Sequence, residues 1–136
     1  MITLTSDMAT GVAKIDEQHR ELVKRLNDVL AMGTKSFSKE ETKKTIDFLG
    51  EYIIKHFNDE EALQRQCDYS KYEWHKGQHQ KYINDFKKLK KEFSENGPSA
   101  KFTVSLNASL VEWIVNHIKA VDVEFGKHYR EYNSKK

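Results

Sequence analysis

The sequence predicts an all-α fold, an antiparallel up-down-up-down four-helix bundle, on three observations. The first is composition: 32% of the 136 residues are charged, and only one is proline. Such a chain, rich in Lys, Glu, Leu and Ile, favours long helices over a sheet. The second is four long amphipathic segments, each with an apolar seam at steps of three and four. The third is the breaks between them: Gly33 to Ser38, Gln66 to Ser70, and Ser94 to Ser99 with the Gly97-Pro98 pair. Short connections make consecutive helices antiparallel neighbours.

Helices are expected over about 17–35, 39–65, 71–94 and 101–119. Asp16 is placed to cap the first. Ser38 with Glu41, and Ser70 with Glu73, read as capping boxes for the second and third. Residues 1–15 read as an irregular arm and 123–132 as a short final helix. The whole of 1–136 reads as one domain, with its core over about 10–130.

Several functions are disfavoured. A net charge of +2 is too small to imply a nucleic-acid partner, and Lys87 to Lys91 reads as a solvated helix face. No apolar run approaches the roughly 20 residues of a membrane span. The start, Met1 to Thr5, lacks the features of a secretory signal, so a cytoplasmic protein is expected. Cys67 is the single cysteine, which excludes an intrachain disulfide; it reads as incidental. Nothing in the sequence calls for an obligate protein partner.

The seams carry residues that a plain core avoids. His19 lies on the first, His56 and Glu60 on the second, His75 and His79 on the third, and His117 on the fourth. Burying such groups without partners costs several kcal/mol each, and a metal ion removes that cost by taking the lone pairs. His56 and Glu60 stand four residues apart, as do His75 and His79, so each pair projects from one helix face. Gly77, between the second pair, reads as relief where helices approach closely. His117 and Asp122 stand five apart, which on a regular helix leaves them about 140° apart. They share a site only if the helix ends or distorts, so a break after His117 is expected. His128 reads as a surface residue.

Five imidazoles and two carboxylates are too many for one zinc, and an imidazole-rich set argues against magnesium and calcium. Two octahedral iron ions fit better. With both carboxylates bridging and one bridging oxide or hydroxide, about one position stays open for a small ligand.

The constellation His19, His56-x-x-x-Glu60, His75-x-x-x-His79, His117-x-x-x-x-Asp122 resembles the hemerythrin family, in particular its single-domain bacterial members. The neighbouring words agree: Gly11-Val12, Ile15-Asp16-Glu17-Gln18-His19, His56-Phe57, and Glu60-Glu61. Where family members often carry a tryptophan in the arm, this chain has Leu4. The resemblance implies that His75, His79 and His117 hold one iron, that His19 and His56 hold the other, and that Glu60 and Asp122 bridge. It implies reversible binding of dioxygen, or of a small anion, at the open position beside His19 and His56, rather than enzymatic turnover. Leu22, Trp113 and Ile118 would wall that pocket. Sensing, or the removal of peroxide or nitric oxide, are the alternative uses of the same site.

Overall fold

The computed structural model describes residues 2–32, 39–97 and 99–135, and among them there are helices and no strand. After a 3-10 turn at Ser6–Met8 come α1 (Ala13–Met32), α2 (Lys39–Gln66) and α3 (Tyr72–Asn96). The fourth helix, α4, runs unbroken over 100–134. It is built from Ala100–Leu106, a π stretch Asn107–Glu112, Trp113–Asn116, a second π stretch His117–Asp122, and Val123–Ser134. The four helices form the up-down-up-down bundle.

Helix α1 starts at Ala13, earlier than expected, because Asp16 acts from inside its first turn. The carboxylate of Asp16 accepts from the Thr10 backbone N–H at 2.9 Å, the Thr10 hydroxyl at 2.7 Å and the Gly11 N–H at 3.2 Å. The Thr10 hydroxyl accepts in turn from the Val12 N–H. Asp16 therefore reaches back over the helix start, as the second partner of a capping box does. The expected Ser70–Glu73 box does not form: α3 is entered from Lys71 with no side-chain cap. The first break and Ser38 lie outside the described residues.

The arm is less irregular than expected. Ile2 and Asn27 exchange two hydrogen bonds of 2.9 Å each. Met8 is buried, and Leu4 packs against the core. Gly126 permits the last step of the arm, since a Cβ there would stand 2.3 Å from the Thr10 carbonyl oxygen. Gly77, by contrast, meets nothing within 4 Å, so it relieves no crowding. The tight helix crossing is at Gly50, where a Cβ would meet the Phe86 ring at 2.6 Å.

One core runs the length of the bundle, through Leu22, Leu26, Leu49, Ile53, Phe57, Tyr82, Phe86, Leu106, Ile114 and Ile118. A smaller one joins Cys67, Tyr69 and Phe125. His128 is not a free surface residue: its Nε2 lies 2.8 Å from the Cys67 carbonyl oxygen, beside the Tyr69 ring. The separate final helix expected over 123–132 is instead the C-terminal part of α4, and this contact docks it on the α2–α3 turn. Among the described residues no helix is long and apolar enough to cross a membrane.

Candidate metal site

His19, His56, Glu60, His75, His79, His117 and Asp122 come together toward the α2–α3 end of the bundle, all buried. Helix period alone places His56 over Glu60 and His75 over His79. The pair His117 and Asp122 needs more, and the sequence-based expectation of a break is wrong in its means. The helix continues, and the segment between the two residues is a π turn. Bonding to the fifth residue, rather than the fourth, widens the turn and brings residues five apart nearly into line. Asp122 then points back to the core without loss of the helix.

The donor atoms form two groups that share both carboxylates. One is Glu60, His75, His79, His117 and Asp122; the other is His19, His56, Glu60 and Asp122. Glu60 Oε1 lies 2.8 Å from His75 Nε2 and 3.1 Å from His79 Nε2. Asp122 Oδ1 lies 3.0 Å from His75 Nε2 and 3.1 Å from His117 Nε2, while Oδ2 lies 2.9 Å from His19 Nε2. Despite this proximity, both oxygens of Glu60, both of Asp122, and Nε2 of His19, His56 and His79 lack hydrogen-bond partners. His75 Nε2 and His117 Nε2 face each other at 3.0 Å, where two lone pairs would repel. Buried polar atoms are normally satisfied. Cations between the nitrogens and oxygens satisfy all of them at once, so the residues present fit a metal pair.

The outer nitrogens explain how the rings are held. His75 Nδ1 lies 2.6 Å from the Gln64 side-chain amide, His56 Nδ1 2.8 Å from Gln18 Oε1, and His79 Nδ1 2.9 Å from Glu61 Oε2. The Gln18 amide in turn donates to Asp59 at 2.7 Å. A ring that donates through Nδ1 keeps its Nε2 lone pair for the interior. Gln64 meets His75 best through its amide oxygen, which a rotation of the amide brings into place. Sequence reasoning missed Gln18, Gln64 and Glu61 in this role. A signal existed for Gln64, which stands one turn after Glu60. Gln18 and Glu61 each adjoin a site residue, and only the packing of neighbouring helices gives them a partner. His19 Nδ1 and His117 Nδ1 have none.

Burial pulls His75 down, but the Asp122 and Glu60 carboxylates outweigh it and raise the imidazole to about 9. Burial also pulls down His19, again outweighed by Asp122, and His79, outweighed by Glu60 and Glu61, so both are raised. Burial wins at His56, which falls to about 4. Burial pushes Asp122 up, yet the facing imidazoles, His117 first, hold it well below the usual carboxylate range.

Leu22 and Ile118 are buried within the main core, one turn past His19 and next to His117. Trp113 is partly buried and lies flat on His117, with ring centroids 4.4 Å apart, and on Tyr82 at the same distance.

Residues 10–127 match the model of the hemerythrin HHE cation binding domain. The chain belongs to the hemerythrin family. A bacteriohemerythrin of Methylococcus capsulatus is 30% identical over 129 residues, covering 93% of this chain and 94% of its own. A myohemerythrin of Theromyzon tessulatum is 30% identical over 113 residues, covering 82% of this chain and 80% of its own. A crystal structure of wild-type hemerythrin superposes with a TM-score of 0.84 at 25% identity, covering 95% of this chain and 97% of that one. The matched family model describes a cation binding domain, and the buried His, Glu and Asp donors of this chain form two groups that could hold a metal ion.

Proposed function

We propose that this chain holds two iron ions with a bridging oxide or hydroxide and binds dioxygen reversibly. The observation that carries the reading is the pair of donor groups sharing Glu60 and Asp122, with their inner atoms unpartnered in a buried core. In this reading His75, His79 and His117 would hold one ion and His19 and His56 the other, with Glu60 and Asp122 shared between them. Each shared carboxylate would set anionic charge between two cations and offset their repulsion.

When bound, a ferrous pair supplies the electrons that dioxygen takes on binding and gives back on release. The chain's own residues do the remainder. Gln64, Gln18 and Glu61 fix three rings with Nε2 inward. With only two carboxylates among seven donors, little negative charge is available to stabilise high oxidation states, which favours binding over turnover. Leu22 and Ile118 wall the open side, Trp113 flat on His117 closes it from the three-histidine side, and together they withhold protons from the ligand.

The test is stopped-flow absorption of the anaerobically reduced, iron-loaded protein mixed with dioxygen, followed by evacuation. The expected result is a charge-transfer band that forms with dioxygen and fades under vacuum, through repeated cycles. Immediate conversion to the diferric form, with catalytic consumption of peroxide or nitric oxide, would overturn it.

A further inference from the structure

We propose that small ligands reach the site through a cleft beneath the N-terminal arm, and that Leu4 and Met8 set what passes. The proposal rests on the reading above, in which the iron beside His19 is the open one. The cleft has a volume of about 160 Å³, with Leu4, Met8 and Ala9 of the arm on one side and Asp16, His19 and Arg20 of α1 on the other. A water takes about 30 Å³ of liquid, so the space suits a few waters or one diatomic or triatomic ligand.

Two further observations point the same way. His19 is 1% exposed, yet its Nδ1 has no hydrogen-bond partner, unlike the outer nitrogens of His56, His75 and His79. A small polar ligand passing inward from the adjoining cleft would offer that nitrogen a partner. His117 shares the deficit, but its ring is covered by Trp113. The arm, in turn, is a light closure. Its root is held by the Thr10 and Gly11 bonds to Asp16, while the stretch over the cleft is fastened by the Ile2–Asn27 pair, by Leu4 and buried Met8 against the core, and by an ion pair of 3.4 Å between Asp7 and Lys119, both about half exposed. Exposed ion pairs contribute little, and a segment held this way opens without unfolding the bundle. Lys119 lies in the second π turn, so the arm bridges α1 and α4 directly over the side where His19 meets Asp122.

Charge at the mouth selects as well. The Asp16 carboxylate is taken up by Thr10 and Gly11. Arg20 is exposed beside it. The mouth therefore favours neutral diatomics and small anions over cations.

The experiment is stopped-flow binding of azide to the diferric protein, compared with Leu4→Trp, Leu4→Ala and Asn27→Ala. A gate acts equally on ingress and egress. Leu4→Trp should therefore slow association and dissociation alike by about tenfold, as when an added ring must swing aside at each passage. Kd, iron content and the azide spectrum should stay as in the parent. Leu4→Ala, which widens the cleft, and Asn27→Ala, which unfastens the arm without touching it, should speed both rates. Equal rates in all four proteins, or a changed Kd at an unchanged association rate, would overturn the route alone. Absence of azide binding in the parent would overturn the proposed function and the route together.

Discussion

Phe57 lies flat on His79 at 3.9 Å and Trp113 flat on His117 at 4.4 Å, whereas His19 and His56 meet edge to face and His19 adjoins the cleft under the arm. The three-histidine side is braced by stacked rings, by the Gln64 amide and by the only anionic outer partner of an imidazole among the described residues, Glu61. The two-histidine side has one amide, Gln18, and the N-terminal arm as its cover. Stacked rings and charged partners exclude solvent and fix orientation. An aliphatic wall beside a cleft under the arm leaves room for a guest. The contrast teaches that one set of donors is made to act asymmetrically by what surrounds it.

The largest effect should come from removing a group that both sides share. Asp122→Ala leaves three facing imidazoles without their anion and should lose metal, with a stability loss of about 3 kcal/mol or more. Metal content per chain and the thermal midpoint check this; full loading at an unchanged midpoint would contradict bridging.

Leu22→Ala tests the aliphatic wall. Deleting a fully buried Leu should cost about 2–5 kcal/mol. Iron content should hold, while the cavity admits water and the oxygenated form autoxidises faster. Autoxidation at the parent rate would place the ligand elsewhere.

Glu61→Gln tests the braced side. It keeps a hydrogen bond to His79 but removes the charge, and should weaken metal binding by about tenfold, the lower end of what such outer partners contribute. The metal-dissociation rate measured with a chelator reports it. The corresponding Gln18→Leu should act on the ion beside His56, so loss of the same ion in both variants would erase the asymmetry.

Removing the metals should reveal a pH dependence that the loaded protein lacks. The folded-state value of His75 is raised from 6.5 to about 9 by its carboxylates. Its stabilisation of the metal-free fold is therefore complete below pH 6.5 and is lost as pH rises through 9. The thermal midpoint of the metal-free protein should fall across that window. A rising midpoint would show that the carboxylates do not hold the proton there.

The smallest effect serves as a control on neither side. Gly77 is exposed within α3 with open space around it. Gly77→Ala should stabilise the protein by about 1 kcal/mol and leave metal binding and azide kinetics unchanged. Destabilisation would restore the close approach that the sequence suggested.

The sequence by itself determined the bundle and most of the donor set, because both follow from the period of a regular helix. Four-residue steps place His56 with Glu60 and His75 with His79 wherever the helix points, and the apolar seams say which way that is. What lay beyond reach depended on partners distant in sequence. The π turn that joins His117 to Asp122 cannot be read from Ile118 to Val121, because a change in hydrogen-bond register is decided by what packs against the helix. The same holds for the π stretch before it, where Tyr82 of α3 donates to the Leu110 carbonyl oxygen at 3.1 Å. Asp16 looked like a cap one turn too late, since its real partners, Thr10 and Gly11, precede the helix. His128 looked exposed because its partner, the Cys67 carbonyl, is 61 residues away. Local periodicity fixed which side chains face inward. Only the packed tertiary structure decided which of them acquire outer partners, and on which side a ligand can approach.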